Sequence, residues 1–111
     1  MGFEPTIRLA DLAEGTAKLV TIEGTPVALV HAEGEVFAIN DICSHADVSL
    51  SEGEVDGCTL ECWLHGSRFD LRTGMPTGLP AITPVPVYAV SIEGAGDDAM
   101  ICVDITKGSP S

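Results

Sequence analysis

Short apolar runs, rich in β-branched residues and cut by glycine turns, recur along this chain. Residues 18–22, 27–31 and 36–40 form three such runs, with Glu23-Gly24 and Glu33-Gly34 between them as hairpin turns. Segments 59–62, 68–71, 85–92 and 100–105 have the same character, punctuated by Asp56-Gly57, Thr73-Gly74 and Gly94-Ala95-Gly96. Only residues 9–14 suggest a turn of helix; nowhere does a 3.6-residue apolar period last ten residues. The pattern predicts an all-β domain, a small antiparallel sandwich or open barrel. Residues 1–106 read as a single domain and 107–111 as a disordered C-terminal tail.

Composition narrows the partners. Five basic residues against seventeen acidic ones give a formal net charge of −12. Nucleic acid and anionic membrane both require a basic face, so neither is expected, and a basic protein patch is the natural counterpart. The first fourteen residues show no basic, apolar leader, and no run approaches the roughly eighteen apolar residues of a membrane span. A cytoplasmic location and a monomer are the expectations. In a reducing cytosol, four cysteines mixed with histidines point to metal rather than to disulfides.

The chemistry concentrates in two short segments. Cys43-Ser44-His45 follows one apolar run, and Cys62-Trp63-Leu64-His65 follows another, with sixteen residues between His45 and Cys62. Each segment joins a thiolate donor to an imidazole donor beside a turn. This is the donor set of a Rieske [2Fe–2S] cluster, in which two cysteines hold one iron and two histidines the other. The candidate ligands are therefore Cys43, His45, Cys62 and His65, for one [2Fe–2S] cluster per chain. Zinc accepts the same four donors, but its modules usually pair cysteine with cysteine and histidine with histidine. A four-cysteine cluster on Cys43, Cys58, Cys62 and Cys102 does not reproduce the plant-type spacing.

Two ferric ions, two sulfides, two thiolates and two neutral imidazoles sum to zero charge, whereas four thiolates would leave two negative charges. An electron enters the neutral centre at lower electrostatic cost, so histidine ligation raises the potential. Imidazole protons should leave more readily from the oxidised form, so the midpoint should fall in alkali.

The stretches Cys43-Ser44-His45-Ala46-Asp47 and Cys62-Trp63-Leu64-His65-Gly66-Ser67-Arg68-Phe69-Asp70 resemble the two boxes of the Rieske ferredoxin family. Within it the chain resembles the small ferredoxin components of bacterial ring-hydroxylating dioxygenase systems, of the biphenyl/phenylpropionate type. The likeness runs from about Gly24 through Pro84-Val85-Pro86-Val87-Tyr88 to the last strand. It implies a Rieske fold: an antiparallel β-sandwich of three sheets, with two loops forming a cluster-binding lobe. It also implies a one-electron carrier rather than an enzyme. Its donor would be a flavin-dependent NAD(P)H reductase and its acceptor a terminal non-haem iron oxygenase. A Rieske component of another redox system, in nitrite reduction or iron–sulfur assembly, and a zinc-stabilised interaction module are the alternatives.

Respiratory relatives carry an extra cysteine in each box, and these form a disulfide beneath the cluster; Val48 and Leu64 stand at those places here. Those relatives also have a tyrosine donor where this chain has Phe69, while the serine of that network is kept as Ser67. Fewer hydrogen bonds to sulfur imply a midpoint in the lower half of the Rieske range of about −150 to +300 mV. An oxygen-activating mononuclear iron needs two further histidines and a carboxylate, and only His31 remains.

Of the other residues, His31, Cys58 and Cys102 read as structural. Trp63 suits either an apolar docking collar with Leu64 and Pro80 or a shield for the cluster. Gly66 suits a tight turn bringing amides toward sulfur. Pro84 and Pro86 resemble a loop that covers the cluster from a third side. Asp41, Asp47, Glu52 and Glu54 form a candidate steering patch.

Overall fold

The computed structural model describes residues 3–42, 49–63, 68–77 and 84–109. Nine strands make up most of them: β1 (Glu4–Arg8), β2 (Thr16–Ile22), β3 (Thr25–Ala32), β4 (Glu35–Asn40), β5 (Val55–Asp56), β6 (Thr59–Glu61), β7 (Arg68–Asp70), β8 (Val87–Glu93) and β9 (Met100–Ser109). Short 3₁₀ turns at Leu9–Asp11, Leu50–Glu52 and Gly96–Asp98 complete the elements. Among the described residues no helix is long and apolar enough to cross a membrane.

The two Glu-Gly turns behave as hairpins. Ile22 pairs with Thr25 and Ala32 with Glu35, leaving two-residue loops. Both loop residues have positive φ: 50° and 83° at Glu23-Gly24, 52° and 78° at Glu33-Gly34. That geometry matches the twist of the flanking strands.

All strand pairs are antiparallel. One sheet has the order β1-β9-β8-β4-β3-β2 and the other β5-β6-β7. The three sheets implied by the resemblance are visible as three three-stranded groups. Two of them share a ladder through only two pairs, Ala38 with Tyr88 and Ile39 with Val87, and so count as one sheet.

Strand β3 is buried on both faces, with Val27, Ala28, Leu29 and Val30 wholly covered. Its side chains alternate between two cores, as a pleated strand buried on both faces must. Val27 and Leu29 join Ala38, Ile101 and Val103 in one core. Ala28, Val30 and Ala32 join Leu50, Leu60, Cys62, Phe69 and Leu71 in the other. The second core fastens the small β5-β6-β7 sheet to the large one.

Three expectations need correction. Residues 107–109, expected in a disordered tail, belong to β9, because β8 supplies partners through the pairs Tyr88–Gly108 and Val87–Ser109. Residues 110 and 111 lie outside the described set. The helical turn expected over 9–14 is a single 3₁₀ turn at Leu9–Asp11. Strands β1 and β5 were absent from the apolar pattern: β1 is an edge strand containing Pro5, and β5 has two residues.

Candidate metal centre

Two chain segments are each flanked by a pair of residues bonded across a ladder. Residues 43–48 lie between Ile42 and Ser49, which form an antiparallel bridge. Residues 62–67 lie between Glu61 and Arg68, the last pair of the β6–β7 ladder. Each loop thus spans six residues, is closed at its base by a strand pair, and begins with a predicted cysteine ligand. Cys43, His45 and His65 lie outside the described residues, as do Ser44, Leu64, Gly66, Ser67 and Pro80. Cys62 is described, one residue past the end of β6.

The foot of the first loop is tied from several sides. The Asp41 amide donates to the Pro26 carbonyl at 3.0 Å, and the Leu50 amide donates to the Asp41 carbonyl at 2.6 Å. The Ile42 amide donates to Asn40 Oδ1 at 2.9 Å, while Asn40 Nδ2 reaches the Tyr88 hydroxyl at 3.1 Å. The Asp41 carboxylate accepts from the Ser51 amide at 2.8 Å and from the Ser49 hydroxyl. This overturns its place in the steering patch. Asp41 is only 1% exposed and points into the fold. Glu52 and Glu54 are exposed, and Asp47 lies outside the described residues.

The two feet share one core. Leu50, beyond the first loop, and Cys62, opening the second, pack in the same apolar cluster with Leu60 and Phe69. The backbones also touch, since the Glu61 amide donates to the Glu54 carbonyl at 2.8 Å. A third segment closes nearby. The Thr77 amide donates to Arg68 O at 2.7 Å, and the Val85 amide to Gly74 O at 2.9 Å. The Asn40 amide donates to Pro86 O at 2.9 Å, which sets the 84–86 segment against the strand leading into the first loop.

The remaining chemistry-bearing residues are otherwise engaged. His31 sits in β3 with Nδ1 2.9 Å from the Leu12 carbonyl and Nε2 3.1 Å from Glu14 Oε1. Burial pushes the Cys58 thiol above its ordinary pKa; the Arg72 guanidinium opposes the shift, and Asp70, Glu33 and Glu35 reinforce it. Burial also raises Cys102. Among the described residues no three His, Cys, Asp or Glu side chains gather as a metal site.

The Rieske [2Fe-2S] domain model matches residues 3–89. The chain belongs to this family. Its fold carries the same message: the ferredoxin of carbazole 1,9a-dioxygenase from Nocardioides aromaticivorans IC177 superposes with a TM-score of 0.85 at 33% identity, covering all of both chains. A ferredoxin seen in a complex of reduced oxygenase and oxidized ferredoxin of carbazole 1,9a-dioxygenase gives a TM-score of 0.80 at 30% identity, over 91% of this chain and 92% of that one. In sequence, the chain is 44% identical to the 3-phenylpropionate/cinnamic acid dioxygenase ferredoxin subunit of Escherichia coli K12 over 104 residues, 92% of each chain.

The cofactor of a Rieske domain is one [2Fe–2S] cluster, and the described residues fit it. Cys62 is a free thiol with no exposed surface. Among the described residues its sulfur has no disulfide or hydrogen-bond partner. A buried, unpartnered sulfur at the mouth of a loop, three residues before a histidine, is a soft donor placed for iron. Apolar neighbours Leu60 and Phe69 keep water from that side. Phe69, where respiratory Rieske proteins have a tyrosine, is wholly buried and offers no hydroxyl.

Proposed function

We propose that this chain is the ferredoxin of a ring-hydroxylating dioxygenase system, with Cys43 and Cys62 on one iron and His45 and His65 on the other. The observation that carries the reading is the 44% identity spread over 92% of both chains to a dioxygenase ferredoxin subunit. The cluster, when bound, takes up and releases one electron. The protein's own part is to hold the four donors on two loops whose bases are pinned, so that little structure changes when the electron arrives. Trp63, 50% exposed, and Ile42, 40% exposed, stand beside the opening cysteine of each loop. Together they offer an apolar rim for a partner, while exposed Glu52 and Glu54 favour a basic one.

Substrate oxidation belongs to another polypeptide. Of three histidines in the chain, two are assigned to the cluster, and His31 spends both ring nitrogens on Leu12 and Glu14. The electron donor on this reading is a flavoprotein oxidising a nicotinamide, and the acceptor is a terminal non-haem iron oxygenase.

Anaerobically purified protein should be red-brown, contain two irons and two acid-labile sulfides per chain, and give a reduced EPR signal of low average g. It should then be reduced by a candidate flavoprotein reductase and support turnover of a candidate oxygenase. Colourless, zinc-loaded protein would refute the cluster. A loaded protein that no such reductase can reduce would refute the assigned place in the chain.

A further inference from the structure

The six-stranded sheet ends in two unlike edges, β1 and β2. Strand β1 is guarded: it contains Pro5, its ladder shifts register between Pro5 and Arg8, and the charged Glu4 and Arg8 bracket it. The edges of the small sheet, β5 and β7, have only two and three residues. Strand β2 has none of these protections. Its seven residues pair with β3 without a shift, include no proline and carry one charge, Lys18.

The pairing fixes which backbone groups β2 leaves open. His31 O accepts from the Gly15 amide at 2.6 Å, so His31 turns its backbone groups toward β2. Leu29 and Val27 then do the same, and their partners Lys18 and Val20 bond inward. Ala17, Leu19 and Thr21 therefore turn their N–H and C=O groups outward, along an edge with no neighbouring strand among the described residues. Thr16, Lys18, Leu19 and Thr21 are exposed, Leu19 by 47%. The side chains of Ala17, Leu19 and Thr21 share one face, on which Ala17 packs against the second core. There a groove of about 390 Å³ separates Thr16 and Ala17 from Gly53 and Glu54. Glu52 lies in the turn packed against β2, and exposed Glu23 follows the strand's other end.

We infer that β2 takes up an extended basic segment of a partner protein as an additional strand of the sheet. The outward groups of Ala17, Leu19 and Thr21 supply the hydrogen bonds. An apolar residue opposite Leu19, with lysine or arginine two positions away on each side, matches the exposed face. Those cations meet Glu52 and Glu54 at one end and Glu23 at the other. The pattern is the same read in either direction, so it serves a parallel or an antiparallel segment. A second copy of this chain fits less well. Its β2 would put Ala17, Leu19 and Thr21 on this face, leaving Glu54 unmatched, and would bring a further net charge of −12.

The probe is an end-blocked heptapeptide, Thr-Lys-Thr-Val-Thr-Lys-Thr, added to the intact, cluster-loaded chain. Saturating peptide should slow hydrogen exchange at the Ala17, Leu19 and Thr21 amides by about tenfold or more, while Lys18 and Val20, already bonded to β3, change little. The same peptide with glutamate for lysine should bind about tenfold more weakly at low salt, and the gap should narrow as ionic strength rises. The Leu19 amide faces outward, so Leu19→Pro removes a donor from the edge without breaking the β2–β3 ladder. It should weaken the lysine peptide by about tenfold. Leu19→Lys serves if the proline variant does not fold: it keeps every backbone group, sets a like charge between the two lysines, and should also weaken binding. Unslowed exchange at the three amides, equal affinity for the glutamate peptide, or full binding by a folded variant would overturn the inference. Sedimentation of the chain without peptide checks the remaining occupant. A concentration-dependent dimer that Leu19→Pro abolishes would assign the edge to a second copy and overturn the partner.

Discussion

Gly53 has φ −85° and ψ −168°, a conformation open to any residue. What reserves the site for glycine is the Glu61 carbonyl, which would collide with a Cβ there. Gly34 is the reverse case: a Cβ would meet nothing, but its φ is +78°. Gly53→Ala should therefore cost about 1–3 kcal/mol by pushing the 50–54 segment off β6, whereas Gly34→Ala should cost only about 1 kcal/mol. Denaturant titration of the two variants checks the order, and equal losses would contradict the steric account. Cys58 supplies a chemical prediction at the same scale. Burial raises its pKa above the ordinary value of 9.0, so the folded state holds the proton more tightly than the unfolded chain. Its contribution to stability is present below that value and is lost as pH rises through the raised one. At pH 8 iodoacetamide should modify Cys58 more slowly than a free cysteine peptide, read by peptide mass spectrometry. Modification at the peptide's rate would show that the thiol is not shielded.

The hairpins were legible because their signals are local. Glu-Gly at 23–24 and 33–34 fixes loop length and backbone sign together, and the resulting registers put β3 where its alternation demands. The two short segments that mark the Rieske family were legible for the same reason, since spacing within a box is a property of a few consecutive residues. What the pattern hid depends on distant partners. Strand β1 owes its place to β9, with Thr6 Oγ1 donating to Ile101 O at 2.7 Å across the sheet. The last residues of β9 extend because Val87 and Tyr88 await partners. Asp41 looked like one more surface carboxylate, and only the return of the chain at Ser49–Ser51 reveals that it faces inward. The small sheet is the element most exposed to loss, since its strands have two or three residues each and hold to the rest through one core. Phe69→Ala should cost about 3–5 kcal/mol and loosen the foot of the second loop. The expected outcome is faster bleaching of the visible cluster absorbance on mild warming, at a temperature where wild type keeps its colour. A variant that bleaches no faster would mean that the small sheet is held by more than this core.

At the scale of the whole molecule the strand directions give the protein two unlike ends. Strand β4 runs from the Glu33-Gly34 turn toward the first loop, and β8 runs antiparallel to it from Val87, the partner of Ile39. Glu93, six residues beyond Val87, therefore lies about 20 Å further from the loop end. Exposed Glu52 and Glu54 lie just past the first loop, next to β6. If docking to redox partners occurs at the loop end, charge there governs encounter, while the overall charge of −12 acts weakly beyond the Debye length of about 8 Å at physiological salt. Reversing the pair, Glu52→Lys with Glu54→Lys, should slow reduction by a candidate flavoprotein reductase several-fold at low ionic strength and flatten its salt dependence. Glu93→Lys should leave both within twofold of wild type. Stopped-flow reduction across a salt series measures each rate. Equal slowing by reversals at the two ends would mean that net charge alone steers the encounter, and that the loop end is not where partners arrive.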